Sequence, residues 1–307
     1  MTPSARELAV EHDAPIETWF HIGGRADRLA RPESAEELAR CLELDERLLV
    51  LGEGANLLVD DEGVKNLVVS LQTDGFRAID LDDTTGIVRV GAGAALPRVI
   101  AQTVNAGLGG LQTLAGIPAT IGGAAVMNAG GAFGSFADHV LQVEAMDRLG
   151  RMHTIARREI DYAYRQSLMN HLLITAVVFQ LDQADPEELK SERAKCMQYK
   201  AKTQPMSERS AGCVFKNPTL AEPIEGVGEH GQRISAGMLI DRAGCKGLRA
   251  GGAGVSHMHA NFITTTPDAN ASSVIDLIEQ VQSRVLERFG VALQRELVIW
   301  TDREIAR

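Results

Sequence analysis

Gly116-Ile-Pro-Ala-Thr-Ile-Gly122-Gly123-Ala-Ala-Val-Met-Asn128-Ala-Gly130-Gly131 is the stretch on which the reading of this chain turns. It lies in a segment with no acidic residue between Asp83 and Asp138, inside a chain of formal net charge -10. Gly91-Ala-Gly93 and Gly107-Leu-Gly109-Gly110 belong to the same segment. Glycine lets backbone approach a ligand closely and turn its N–H groups inward. Missing carboxylates spare a phosphate their repulsion. Together these features predict a cradle for a phosphorylated cofactor, and a second loop, Gly52-Glu-Gly54-Ala-Asn56, adds to it. The competing account of such glycines is tight helix–sheet packing and turns.

Two familiar phosphate sites are excluded. Gly91-Ala-Gly93-Ala-Ala-Leu96 follows a predicted strand and precedes a predicted helix. It lacks the third glycine of a dinucleotide fingerprint, and no Asp or Glu lies about 20 residues on to hold a ribose. No Walker lysine motif occurs.

Working outward, 307 residues suffice for two or three domains, and 45% hydrophobic with 23% charged residues fits a soluble globular protein. No apolar run reaches the roughly 18 residues of a membrane span. The opening Met1-Thr-Pro-Ser-Ala-Arg-Glu7 lacks the apolar segment of a secretory signal, so the cytoplasm is the expected compartment. The acidic balance, without a Lys/Arg stripe, argues against a nucleic-acid partner. Locally, residues 200–249 carry eight Lys/Arg against five Asp/Glu, which suits either an ordinary solvated surface or a pocket for an anionic substrate.

Cys41, Cys196, Cys213 and Cys245 form neither a CxxC nor a zinc-type spacing. Free thiols are expected, with Cys41, Cys196 and Cys245 as small buried apolar residues. His257 and His259 have the spacing of one strand face, but no Asp, Glu or Cys stands beside them, so no metal is expected.

Local signals give a coarse element order. Ser34-Ala-Glu-Glu37 is a capping box opening a helix to about Glu46. Strands are expected at 48–51, 57–59, 67–71, 76–81 and 87–90, then a helix over 96–105. Strands resume at 140–146 and 172–181, the second a near-continuous apolar run. Asp185-Pro-Glu-Glu188 opens a charged helix to about Lys202 that leads into a last domain. There a helix over 235–242 ends near Gly244, and a strand is expected over 254–265. Val274, Leu277, Ile278, Val281 and Val285 lie on one face of a long helix that Gly290 ends, and 291–300 forms the final strand.

Taken in order, several motifs resemble one family, the UDP-N-acetylenolpyruvoylglucosamine reductases (MurB). They are Thr18-Trp-Phe-His-Ile-Gly-Gly-Arg25, Gly52-Glu-Gly-Ala-Asn-Leu-Leu58, Gly116-Ile-Pro through Asn128-Ala-Gly130, Tyr164-Arg-Gln-Ser167, Ser210-Ala-Gly-Cys-Val-Phe-Lys-Asn-Pro218, Ala236-Gly-Met-Leu-Ile-Asp241, His259-Ala-Asn-Phe262 and the strand of Glu296. Their order and spacing carry the resemblance. It implies an α+β fold: a two-part FAD-binding region of the vanillyl-alcohol-oxidase (PCMH) type plus a C-terminal α+β substrate domain. The expected divisions are 1–72, 73–186 and 187–307.

The same resemblance implies non-covalent FAD, with NADPH as co-substrate, and reduction of UDP-N-acetylglucosamine enolpyruvate to UDP-N-acetylmuramate. NADPH and the UDP-sugar are expected to take turns at one site, without an obligate protein partner. Gly52, Gly54, Ala55, Asn56, Leu57, Gly116, Ile117, Pro118, Thr120, Gly122 and Gly123 are then the cofactor-binding positions. Arg165 supplies a cation for the substrate carboxylate, since a guanidinium binds carboxylates in a bidentate manner and stays charged. Glu296 matches the glutamate that assists the enolic intermediate. On strand parity it avoids the face of Leu293, Leu297 and Ile299, which suits either a strand-end salt bridge or catalysis.

Cys213 stands at the proton-donor position, where many members have Ser. A thiol, with a pKa of about 8.5, is the stronger acid. Tyr164, Lys216 and Asn217 are candidate substrate contacts. The span between Arg165 and Cys213 is short, as in the shorter subclass, and Tyr199 and Lys202 are candidates for the contact of the tyrosine that longer members carry there. Another flavin oxidase of the same fold, acting on a small alcohol or hydroxy acid, and a flavin-binding protein without turnover are the alternatives.

Overall fold

The computed structural model describes residues 8–301 and residue 305; residues 1–7, read above as lacking an apolar targeting segment, lie outside the described residues. The chain divides into two compact units. One comprises Met1–Ala14, Ala26–Glu53 and Lys65–Tyr199, described from residue 8; the other comprises Pro15–Arg25, Gly54–Val64 and Lys200–Arg307.

The first unit carries two larger sheets. A four-stranded sheet runs in the order Val10–Pro15, Arg25–Ala30, Val64–Ser70, Leu49–Leu51, with the last two parallel. Helix α1 (Ala35–Leu44) begins at Ser34, whose side chain accepts from the Glu37 N–H. The reciprocal half of the expected capping box is displaced by one residue, because the Glu37 side chain accepts from the N–H of Glu33 and not from that of the cap, Ser34. The second sheet is antiparallel, in the order Met152–Ala156, Val140–Met146, Leu173–Gln180, Ile87–Gly91, Ile79–Asp82. Its central strand, Leu173–Gln180, is buried over seven consecutive residues, which explains its unbroken apolar sequence. Helices α2 (Leu96–Asn105) and α3 (Ile121–Met127) contribute Leu96, Val99, Ile100, Ile121 and Ala125 to the same core as Val88, Val90, Val143 and Phe179.

Three expectations change here. Val10–Pro15 and Arg25–Ala30 are strands that apolar patterning does not reveal, because they are largely polar; the first is an edge strand. The strand expected at 76–81 begins at Ile79, since Asp74–Phe76 is a single 3-10 turn. Helix α3 forms inside the glycine-rich segment, with Thr120 as its N-cap accepting from the Gly123 N–H at 3.2 Å.

The 18-residue helix α4 (Pro186–Thr203) carries the chain from the first unit's last segment into the second. The second unit packs α5 (Ala236–Arg242) and α6 (Ala271–Phe289) around Leu239, Ile240, Val274, Leu277, Ile278, Val281 and Phe215. Asn270 caps α6 by accepting from the Ser273 N–H, and Gly290 ends it in the left-handed conformation. The strand expected over 254–265 is instead two short antiparallel strands, Ala253–Val255 and Ile263–Thr265. His257 and His259 lie in the bend between them and share no strand face. The final strand is only Val298–Trp300, parallel to Leu57–Val59. Residues 291–297 are irregular and join other backbone around an isolated bridge, Phe215 to Arg295, not a ladder.

Candidate active site

The glycines divide into two kinds. A Cβ on Gly91 or Gly93 would collide with the carbonyl oxygens of Phe76 and Leu71, and one on Gly122 would lie 3.0 Å from the Ala92 Cβ. These are packing positions, as the competing account holds. Gly52 and Gly123 are different. A Cβ at either would meet only the Thr120 side chain, with Oγ1 at 2.9 and 3.3 Å. Both glycine loops therefore converge on the Thr120 hydroxyl within the first unit, and Gly123 is otherwise open on that side.

The N–H groups sharpen this division. Ile121 and Gly122 donate to the carbonyls of Ala94 and Ala92, and Gly123 to the Thr120 hydroxyl. The first turn of α3 is thus used internally. Among the described residues no protein acceptor meets the N–H of Gly116, Ala119 or Thr120. Residues 116–119 are half-buried and irregular, so donors here point at neither ladder nor helix. The N–H groups of Gly54 and Ala55 in the second unit are equally without a protein acceptor, and Gly54 has φ +64. Successive open donors beside a left-handed residue are the backbone form of an anion cradle. The donors of Gly116, Ala119 and Thr120, all in the first unit, fit the diphosphate of FAD.

Of the other expected cofactor positions, Leu57 is buried in the pairing with Val298, and Asn56 donates through Nδ2 to the Glu296 carbonyl at 3.0 Å. Ile117 donates its N–H to Leu114, while Pro118 has none to offer. Residues Gly52 and Glu53 fall in the first unit and Gly54 begins a segment of the second.

Arg165 sits at the tip of a two-residue hairpin between Tyr162–Ala163 and Gln166–Ser167, with φ +55. A left-handed backbone at a non-glycine residue is uncommon and marks positions that the surroundings must hold. They do so here. Asn128 Nδ2 donates to the Ala163 carbonyl at 2.9 Å, and Ser167 Oγ to the Val126 carbonyl at 2.8 Å. Arg165 Nη2 donates to the Gly130 carbonyl at 2.6 Å, and the guanidinium carbon lies 5.1 Å from the Tyr164 ring centroid. The motifs Asn128-Ala-Gly130 and Tyr164-Arg-Gln-Ser167, far apart in sequence, are one assembly. Phe133, in the loop beyond Gly130, meets Tyr199 edge-on with centroids 5.4 Å apart.

The second unit brings Cys213 and Glu296 onto neighbouring backbone. Glu296 N–H donates to the Val214 carbonyl at 2.8 Å. Cys213 bridges Phe262, and Asn261 holds the next two residues: its carbonyl accepts from Val214 N–H at 2.9 Å, while its side chain both accepts from and donates to the Phe215 backbone. Asn217 Oδ1 accepts from the Ala236 N–H at the start of α5, so only its NH2 group is left to face a ligand. Lys216 is half-buried, with its N–H bound to the Gln294 carbonyl.

Cys41, Cys196 and Cys245 are buried, whereas Cys213 is partly exposed. Burial, aided by Glu37, pushes the Cys41 thiol up to about 11, and burial raises Cys245. Such thiols are poor thiolates at neutral pH. Burial lowers His259, assisted by the charge of Lys246, and its Nδ1 accepts from the Asn261 N–H at 3.3 Å. That is the environment of a neutral structural imidazole. Among the described residues no group of three or more His, Cys, Asp or Glu could hold a metal, and no helix is long and apolar enough to cross a membrane. A cavity of about 420 Å³ lined by Asp147, His153, Glu159 and His171 contains none of the expected site residues.

Glu53 is the position that sequence reasoning missed. Its Oε2 is buried and accepts no hydrogen bond. The signal was its place between Gly52 and Gly54, where an acid had no part in a phosphate cradle.

Comparison with known proteins matches these features to families. Residues 26–156 match a family described as "FAD binding domain". The chain therefore has the two-part FAD-binding fold of the vanillyl-alcohol-oxidase type, followed by a C-terminal α+β domain. Residues 204–300 match the family described as "UDP-N-acetylenolpyruvoylglucosamine reductase, C-terminal domain". Relatives named UDP-N-acetylenolpyruvoylglucosamine reductase include one from Moorella thermoacetica, 40% identical over 92% of this chain and 90% of its own length. Another, from Beijerinckia indica, is 36% identical over 92% and 86%. The crystal structure of MurB from Thermus caldophilus superposes with TM-score 0.80 at 37% identity, covering 96% of this chain and 99% of that one. The chain belongs to the UDP-N-acetylenolpyruvoylglucosamine reductase family.

Proposed function

We propose that this chain reduces UDP-N-acetylglucosamine enolpyruvate to UDP-N-acetylmuramate, with FAD as cofactor and NADPH as reductant, in peptidoglycan precursor synthesis. The cofactor supplies a two-electron carrier that accepts reducing equivalents from NADPH and passes them to the enol ether. Its diphosphate is assigned to the open N–H groups of Gly116, Ala119 and Thr120 in the first unit, with Gly52 and Gly123 keeping the surroundings of Thr120 bare. The division of the FAD-binding region near residue 72 is supported by the first unit's two larger sheets, one built mainly from strands before that point and the other from strands after it.

The remaining roles belong to side chains. Arg165 pairs with the substrate carboxylate, held for that purpose by Gly130 and the Tyr164 face. Tyr164 and Lys216 line the substrate, as does the free NH2 group of Asn217. Glu296 steadies the enolic form that develops as charge spreads into the carboxylate. The Cys213 thiol donates its proton to the carbon next to that carboxylate, and the S–H bond breaks as the C–H bond forms. Among the four thiols it is the partly exposed one.

The observation that carries this reading is the backbone bond between Glu296 and Val214, which sets the two proposed acid–base groups on adjoining chains. NADPH oxidation by the flavin-loaded protein should accelerate on adding the UDP-sugar enol ether. Oxidation indifferent to that sugar refutes the reading and favours a flavin oxidase of other specificity. Cys213→Ala should keep flavin reduction by NADPH and slow reoxidation by the enol ether by about 100-fold or more, within the usual contribution of a general acid. Reoxidation at the full rate removes Cys213 from the mechanism. A cytoplasmic location is proposed with this chemistry, since both small substrates are expected there.

A further inference from the structure

We propose that Glu53 binds a sugar hydroxyl of the cofactor, accepting its hydrogen through the buried Oε2; this inference rests on the FAD reading above. A buried carboxyl oxygen without a donor is costly, and such atoms in native proteins call for a missing partner. Oε2 of Glu53 is in that state among the described residues. Its neighbour Gly52 abuts the Thr120 hydroxyl, so Glu53 stands one residue from the point where the two glycine loops of the first unit meet. The open N–H groups of Gly116, Ala119 and Thr120 belong to the irregular stretch that ends at Thr120.

Charge selects the kind of partner. A carboxylate beside a diphosphate repels it, so the two must be separated by a neutral donor. In FAD the neutral donors that flank the diphosphate are the hydroxyls of the ribityl chain on one side and of the adenosine ribose on the other. The adenine amine and the N–H of the flavin ring lie at the far ends of the molecule. Dinucleotide sites with the glycine fingerprint use an acid about 20 residues on for such a hydroxyl. The Gly91 segment has none at that distance, and Glu53 is the acid that this chain places within its glycine loops.

The test uses the full chain freed of flavin, with folding checked by circular dichroism and affinity read from quenching of flavin fluorescence. Three probes are titrated: FAD, FAD with a 2′-deoxyribose, and FAD lacking ribityl hydroxyls. The unaltered chain should bind one of the two deoxy forms about tenfold more weakly, and that form names the sugar. Glu53→Ala should bind FAD about tenfold more weakly and no longer distinguish it from that form. Should that variant not fold, Glu53→Gln carries the same comparison and should narrow the discrimination.

Unchanged FAD affinity in the variants overturns the proposal. So does an equal loss for FAD and both deoxy forms, which marks a structural role. Dependence of the Glu53 effect on added Mg2+ or K+ overturns it in favour of a bound cation. If the unaltered chain binds no FAD at all, the cofactor assignment itself falls, an outcome distinct from binding without discrimination.

Discussion

Asn128→Ala should unfold the support of Arg165 before it touches any ligand. Asn128 is buried, has φ +43, and uses both ends of its amide. Nδ2 donates to the Ala163 carbonyl at 2.9 Å, and Oδ1 accepts from the Ala137 N–H at 3.1 Å. Ala137 is buried, so its orphaned N–H carries the full desolvation cost of about 1–3 kcal/mol. Ala163 is exposed and its carbonyl can turn to water, leaving a net loss of about 0.5–1.5 kcal/mol. A left-handed alanine adds about 1 kcal/mol. The sum is roughly 2.5–5.5 kcal/mol, a large share of the stability of a domain. Asn128→Gly keeps both bond losses but removes the conformational one, so it should be about 1 kcal/mol more stable than the alanine variant. Urea unfolding of the first unit, followed by circular dichroism, measures all three proteins. Substrate KM should rise in both variants, since the Arg165 hairpin loses its tie to α3. An alanine variant within about 1 kcal/mol of the parent, or a glycine variant less stable than the alanine one, refutes the reasoning.

Two further predictions concern the second unit. Gly54→Ala puts a Cβ at φ +64 onto the Glu17 carbonyl oxygen, so the chain must shift there. A loss of at least about 2 kcal/mol is expected from strain and displaced backbone, with weakened flavin retention on gel filtration; an unaltered unfolding midpoint contradicts it. His259 is held neutral by burial, its folded pKa below the unfolded value near 6.5. Unfolding then takes up a proton, so the His259 contribution is full above about pH 6.5 and is lost as pH falls from there to the folded pKa. His259→Gln should flatten that part of the stability-versus-pH curve below about pH 6.5. The same slope in both proteins rules the imidazole out.

Much of this architecture was legible because it follows from burial period. The run Leu173–Gln180 is apolar throughout because both of its faces are covered, and α6 shows its five-residue stripe because one face is covered. Val10–Pro15 was not legible, since an edge strand exposes polar residues that carry no alternation. Nor was the 3-10 turn at Asp74–Phe76, a single turn without periodicity. At the site, the glycine spacing points to one cradle, yet Gly91, Gly93 and Gly122 pack against protein: Phe76, Leu71 and Ala92. Which glycine faces a ligand and which faces protein depends on tertiary contacts that spacing does not encode. Glu53 was passed over for a related reason. An acid in a phosphate loop reads as an obstacle until the burial of one of its oxygens is known.

The motif asparagines explain how proposed catalytic groups drawn from irregular chain can be held in place. Asn56 donates to the carbonyl of Glu296 itself. Asn128 ties down the hairpin of Arg165, and Asn261 clamps Phe215, two residues beyond Cys213. Asn217 completes the start of α5. None of these neighbourhoods has a long ladder: Glu296 precedes a three-residue strand, and Arg165 tips a hairpin of two-residue strands. A side-chain amide has the donor and acceptor of a peptide group, so it can supply the bonds that a neighbouring strand would otherwise make. Asp could supply only acceptors when ionised, and Ser could not span the same gap. The resemblance at these asparagines therefore reports scaffolding of the site more than contact with ligand. Replacing any of them should lower stability and turnover together, whereas Cys213→Ala should lower turnover alone.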